Sequence, residues 1–272
     1  MVRTLPRIVV SSLVALMLVG LSAARADPLR VYAAGSLTEA MKQLIAASGL
    51  PTDAIAAPTF GPAGLLRRRI EAGEQADLFA SADMAQAQAV ADKGLGLPPV
   101  AFARNRMCVV AKPGLGLKPD NLLDRLLDPA VRLGTSTPVA DPGGDYALAV
   151  FRRAGQLRQG ADAVLTGKAL HLLGSPGAMV PVEGHSPGAS VFIGDHADAL
   201  LYYCSGVPAV LRELPDLVSV PLPPDLEVGP VYGMTVRLGN PDAARLALFI
   251  LSAPGQAILA KASLLPVMEP QH

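Results

Sequence analysis

Four short segments of this 272-residue chain place glycine or alanine beside a polar residue, just ahead of a helix-type pattern. They are Ala34-Gly35-Ser36, Phe60-Gly61-Pro62-Ala63-Gly64, Asp141-Pro142-Gly143-Gly144 and Gly184-His185-Ser186-Pro187-Gly188. A helix N-terminus carries backbone N–H groups without intrahelical partners and the positive end of the helix dipole. Small residues let a ligand approach that backbone closely. The chemistry on offer is capture of a small oxyanion by neutral donors, with no Lys or Arg required. Taken singly, each turn reads better as an ordinary cap or turn, because Gly, Pro and Ser dominate turns. Only convergence of several makes a site.

Other chemistries fit less well. Gly184-His185-Ser186-Pro187-Gly188 matches G-x-S-x-G, the nucleophile elbow of serine hydrolases. An Asp and then a His should follow the serine in the chain. The downstream histidines are His196, on the same expected helix, and His272, the last residue. A serine hydrolase using Ser186 is therefore a distant alternative. There is no GxxxxGK[ST] and no GxGxxG after a strand. The histidines (171, 185, 196, 272) lack metal-ligand spacing. Consecutive helix residues point in different directions, so Arg67-Arg68-Arg69 reads as solvated surface rather than one basic face. Asp77 and Asp83 bracket a short strand and read as turn or cap residues. No enzyme activity, metal cation or cofactor is expected.

Composition narrows the class. The sequence is 51% hydrophobic and 17% charged, which is core-forming and not disordered. Lys plus Arg equal Asp plus Glu at 23 each. A nucleic-acid partner is not expected, because neutralising phosphates needs a surplus of basic residues. Met1–Ala26 reads as a secretory signal: Arg3 and Arg7 lead an uncharged apolar run, and Ala24-Arg25-Ala26 supplies a small-x-small cleavage pattern. A membrane anchor is the weaker reading, since the run is at the lower limit of a span of roughly 20 residues. Export makes a disulfide between Cys108 and Cys204 possible. Both cysteines end or lie in apolar runs, so two buried free thiols are the expectation.

The elements that must position the turns alternate between strand and helix. Strands are predicted at Leu29–Ala34, Ala54–Phe60, Asp77–Ser81, Arg106–Ala111, Val131–Gly134, Ala178–Val182, Ala199–Cys204 and Gly229–Arg237. Helices are predicted over Ser36–Ala47, with Ser36 or Thr38 as cap, and over Pro62–Glu71, Met84–Lys93, Asn121–Leu127, Pro142–Ala154, Ala161–Leu173, Pro187–His196, Pro241–Leu251 and Pro254–Ala262. The alternation argues for mostly parallel sheets flanked by helices, which bind ligands at the carboxyl ends of their strands. Pro221–Pro230 reads as a crossover or hinge.

At these turns the sequence resembles the periplasmic molybdate-binding proteins of ABC transporters. Four segments carry the likeness: Val31-Tyr32-Ala33-Ala34-Gly35-Ser36-Leu37-Thr38-Glu39-Ala40; Phe60 through Asp83, with Ile70-Glu71-Ala72-Gly73 and Ala76-Asp77-Leu78-Phe79-Ala80-Ser81-Ala82-Asp83, which is the most specific of the four; Phe102-Ala103-Arg104-Asn105-Arg106 followed by Val109-Val110-Ala111; and Leu201-Tyr202-Tyr203. The resemblance implies an α/β, two-lobed periplasmic binding protein of type II. Lobe I would hold 27–101 and 228–272, and lobe II 102–227. It implies capture of molybdate or tungstate between the lobes, delivery to an ABC membrane permease, a periplasmic location and a monomer. Carried over by position, the ligand donors are Ser36, the amides of Ala63, Gly64 and Gly143, Tyr203, and a donor near His185. One departure stands out. The family's second ligand serine is replaced by Gly61-Pro62-Ala63-Gly64, which has no hydroxyl and, at Pro62, no N–H. A binding protein of the same fold for another oxyanion or a small organic acid is therefore the alternative.

Overall fold

The computed structural model describes residues 27–179 and 181–267. The expected signal segment, Met1–Ala26, lies outside the described residues. In chain order the elements are β1 Val31–Ala34, α1 Thr38–Ala47, β2 Thr59–Gly61, α2 Ala63–Glu71, β3 Leu78–Ser81, α3 Met84–Asp92 and β4 Val100–Arg104. Then follow β5 Met107–Ala111, α4 Leu122–Leu127, β6 Leu133–Ser136, α5 Pro142–Leu157, α6 Ala161–Lys168, β7 Leu170–Leu173, α7 Pro187–Ile193, β8 Ala199–Tyr203, α8 Val207–Glu213 and β9 Val218–Pro221. Last come β10 Val231–Val236, α9 Pro241–Leu251 and α10 Ala253–Lys261.

The strands form two five-stranded sheets, ordered β2-β1-β3-β10-β4 and β7-β6-β8-β5-β9. Central strands β1 (Val-Tyr-Ala-Ala) and β5 (Met-Cys-Val-Val-Ala) are buried along their whole length, which is why they read as unbroken apolar runs. The chain passes from the first sheet to the second at Asn105-Arg106, between β4 and β5. It returns through residues 222–230, between β9 and β10. The two-lobed α/β architecture that the family resemblance implies is present, and Pro221–Pro230 does span the return crossing.

Several expectations change. The sheets are mixed, not mostly parallel. β1 pairs in parallel with β2 and β3, and β6 with β7 and β8, but β10 is antiparallel to β3 and β4, and β5 is antiparallel to β8 and β9. The crossings cause this: a strand that returns from the other lobe enters its sheet without a crossover helix and runs backwards. Phe102–Arg104 belongs to β4, in the first sheet, so the expected start of lobe II at Phe102 falls inside a lobe I strand. The helix expected over Ala161–Leu173 stops at Lys168, whose ammonium is held by the carbonyls of Leu126 and Asp128. Leu170–Leu173 continues as edge strand β7, a short apolar run that periodicity cannot tell from helix. Within Ala178–Val182, Val180 lies outside the described residues, and the described remainder forms no strand. Strands β4 and β9 carried no sequence expectation.

The cysteines also differ from expectation. They are joined, Cys108–Cys204, with Cα atoms 5.0 Å apart, within the reach of a disulfide. Cys108 pairs with Tyr202 across β5 and β8, which sets Cys204 diagonally opposite, just past the end of β8.

Candidate functional site

The carboxyl ends of β1 and β2 lie side by side, with Ala34 paired to Gly61, so the first two glycine turns converge. Ser36 sits in a short 3₁₀ turn, Gly35–Leu37, that leads into α1. It does not cap α1. The cap position is Leu37, without a side-chain hydrogen bond. Ser36 is half-buried, and its Oγ lies 3.0 Å from the Tyr232 hydroxyl. Ala63 and Gly64 form the first turn of α2, which has no side-chain cap. Their N–H groups precede the first carbonyls the helix can offer.

Across the cleft, Asp141-Pro142 starts α5 as the local signals predict, with Pro at the first helical position. The Asp141 carboxylate accepts the Gly143 N–H at 3.0 Å, and the Asp141 carbonyl accepts the Gly144 N–H at 2.9 Å. The amide expected to serve a ligand at Gly143 is thus spent on its own cap.

Contacts close a circuit around the cleft. A Cβ at Gly64 would lie 2.1 Å from the Val139 carbonyl oxygen and 2.8 Å from that of Ala140, so α2 of lobe I abuts the turn before α5 of lobe II. A Cβ at Gly143 would lie 3.4 Å from the Tyr203 ring. Tyr203 meets Tyr146 and Tyr232 edge to face, with centroids 6.2 and 5.8 Å away. Tyr232 returns the circuit to Ser36. Val139 itself is held at φ +67°, a conformation costly for a β-branched residue.

Tyr203 is the outlier. Its residue is buried, and its hydroxyl has no hydrogen-bond partner among the described residues. An unsatisfied buried hydroxyl costs about 1–3 kcal/mol. Burial, helped by the charges of neighbouring groups including Asp141 and Asp83, pushes the Tyr203 phenol well above its ordinary pKa, so it stays a donor. Burial likewise raises Tyr146 and Tyr232. The acids at the cleft edge are perturbed in the same sense. Asp83, Asp141 and Asp145 have raised pKa values, chiefly by desolvation. Asp83 caps α3 through the Gln86 N–H, the cap role its position suggests.

His185 is not brought to this cleft by any of these contacts. Its Nδ1 lies 3.0 Å from Glu213 of α8, and Glu213 also accepts the Ser186 N–H. Ser186 Oγ accepts the Ala189 N–H as the cap of α7. The G-x-S-x-G segment is therefore built as a helix start whose neighbouring imidazole is turned to a carboxylate.

Three residues of the site escaped sequence reasoning: Asn105, Ser205 and Tyr232. The Asn105 amide donates to Ser205 Oγ at 2.8 Å and to the Tyr232 hydroxyl at 2.9 Å. Tyr232 reads in sequence as one more apolar position of a core strand. Nothing local marks its hydroxyl as aimed at Ser36, 196 positions away.

Comparison with known proteins places these features. The chain is 35% identical over 209 residues to the uncharacterized protein PM1146 of Pasteurella multocida (strain Pm70), covering 76% of this chain and 86% of that one. The periplasmic molybdate-binding protein of Azotobacter vinelandii superposes with a TM-score of 0.67 at 17% identity, over 89% of this chain and 100% of that one. The sulfate-binding protein SubI of Mycobacterium tuberculosis H37Rv superposes with a TM-score of 0.69 at 18% identity, over 90% of this chain and 88% of that one. At such identities these structures speak for the two-lobed fold alone. The model of the bacterial extracellular solute-binding protein family matches residues 29–263, and the chain belongs to that family.

Proposed function

We propose that the cleft captures a tetrahedral oxyanion, molybdate or tungstate, in the periplasm and delivers it to an ABC permease. The observation that carries this reading is the buried Tyr203 hydroxyl, without a partner among the described residues, on a residue packed against Tyr232, whose own hydroxyl meets Ser36. Ligand oxygens would accept from Tyr203, Ser36 and the amides of Ala63 and Gly64. Tyr203 belongs to lobe II and the others to lobe I, so the anion stabilises the closed arrangement over the open one. All of these donors are neutral, and the charged groups that raise the Tyr203 pKa include carboxylates. Affinity then rests on hydrogen bonds to the anion, each worth about 1.5–3 kcal/mol when one partner is charged.

A different oxyanion, sulfate among them, is the second reading. Two features favour it: the hydroxyl-free Gly61–Gly64 turn and the Gly143 amide spent on Asp141 both shorten the donor list. A thermal-shift panel on the processed protein with molybdate, tungstate, sulfate and phosphate separates the two. At 100 times the dissociation constant a ligand adds about 2.7 kcal/mol, a rise of roughly 5–10 °C for a chain this size. A rise with molybdate and tungstate alone supports the first reading, and a rise with sulfate alone supports the second. No rise with any oxyanion refutes both.

A further inference from the structure

The hydrogen bonds behind Ser36 have one consistent direction. The Asn105 Oδ1 accepts the Arg106 N–H at 2.8 Å and faces the Ser205 N–H at 3.4 Å. Backbone N–H groups only donate, so this end of the amide is its oxygen. The other end, Nδ2, must donate, and it does so to Ser205 Oγ and to the Tyr232 hydroxyl. Tyr232 therefore accepts from Asn105 and has one proton of its own to give. Tyr232 is fully buried, and among the described residues the other group that meets its OH is Ser36 Oγ. Donation to Ser36 satisfies that proton, whereas withholding it would leave a buried O–H unpaired. Ser36 then accepts from Tyr232, and its own proton is released toward the cleft, where the residue is half-exposed.

We infer that Asn105, Tyr232 and Ser36 form a directed donor relay, in which Asn105 and Tyr232 are positioning residues that aim the Ser36 hydroxyl at the bound anion. The inference rests on the oxyanion reading given above. Each bond polarises the next, so Ser36 becomes a stronger donor than an isolated serine. The relay also crosses the molecule. Ser36 and Tyr232 belong to the first lobe, Asn105 is the residue at which the chain passes between the sheets, and Ser205 follows the last strand residue, Tyr203, in the second lobe. A bond formed by Ser36 is thus linked to the crossover about which the lobes move. The relay assigns Tyr232 to binding although it need not touch the ligand.

The test is a double-mutant cycle in the processed protein, titrated with sodium molybdate and sodium tungstate. Ser36→Ala is expected to weaken binding by about tenfold or more, and Tyr232→Phe by roughly three- to tenfold. The double variant should be no weaker than Ser36→Ala alone, because Tyr232 acts through Ser36. Multiplying effects, or wild-type affinity for Tyr232→Phe, would overturn the relay. A ligand-free readout keeps this separate from the choice of anion. In protein carrying ¹³Cζ-labelled tyrosine, Ser36→Ala and Asn105→Ala should each shift the Tyr232 resonance, which is assigned by its loss in Tyr232→Phe. If neither shifts it, the relay is wrong whatever the cleft binds. If both shift it while no oxyanion binds, the relay stands and the oxyanion reading fails. Should Tyr232→Phe not fold, Asn105→Ala takes its place in the cycle and the resonance is assigned by elimination among the other tyrosines.

Discussion

Gly64 offers a perturbation that separates lobe closure from lobe stability. It sits in the first turn of α2 with its Cα against lobe II, and an added Cβ would lie 2.1 Å from the Val139 carbonyl oxygen, 2.8 Å from that of Ala140 and 3.1 Å from the Ala140 carbonyl carbon. The first of these falls more than an ångström short of ordinary contact. The obstruction is backbone on the far side, so no side chain can swing aside. Within lobe I, alanine suits the helix better than glycine. Gly64→Ala should therefore cost nothing in the open state and about 1–3 kcal/mol in the closed one, the usual range for overpacking. Since ligand binds the closed form, affinity should fall by roughly five- to 150-fold, with the ligand-free melting temperature unchanged or raised. Isothermal titration and calorimetric melting of the ligand-free protein read the two quantities. Gly144→Ala is the control. Its Cβ would lie 2.4 Å from the Pro138 nitrogen and 2.7 Å from the Ser136 carbonyl oxygen, a clash inside lobe II, so it should lower the melting temperature as well. Wild-type affinity in Gly64→Ala, or a lowered ligand-free melting temperature, would refute the assignment of this contact to closure.

Other expectations follow from the same geometry. Tyr203→Phe removes a buried hydroxyl that has no partner among the described residues, so the ligand-free protein should be as stable or more stable while anion affinity falls at least tenfold; parallel melting and titration measure both. Replacing both Cys108 and Cys204 by Ala opens a crosslink spanning 96 positions and should cost about 2–4 kcal/mol, read as a lower urea midpoint that reductant does not lower further. Asp198 accepts two hydrogen bonds from the Arg132 side chain and one from Lys112, and these partners hold its pKa well below the usual carboxylate range. A depressed carboxylate contributes stability above its unfolded pKa and loses it as pH falls through the folded one. Asp198→Asn should thus be destabilised at pH 7, with the gap to wild type closing below about pH 4 in urea titrations at several pH values.

Helix starts were legible because capping is local. Asp83, Asp141, Ser186 and Asn240 each accept from an N–H two or three residues ahead, and Pro follows directly at Pro142, Pro187 and Pro241. Buried strands β1 and β5 were legible as continuous apolar runs. The glycine turn at Ala63-Gly64 was legible as an open helix end, whereas Ser36, read as a cap, lies in a 3₁₀ turn ahead of α1. Edge strand β7 was not, since four residues of Leu-His-Leu-Leu hold no decisive period. The antiparallel entries of β5 and β10 were not either, because strand direction follows from where the chain crosses between lobes.

The starts of α3, α5, α7 and α9 and the buried runs of β1 and β5 were thus readable from the chain, since both depend on neighbours a few positions away, whereas α8 carried no expectation. It took the folded chain to show that the Gly143 amide serves Asp141 and not the cleft, that His185 turns to Glu213, and that Cys108 reaches Cys204. The same holds for the pairing of Ser36 with Tyr232 and for the Tyr203 hydroxyl, which has no partner among the described residues. The physical reason is common to all of them. A donor or acceptor is satisfied by whatever folding brings within about 3 Å, and distance along the chain says nothing about which group that is.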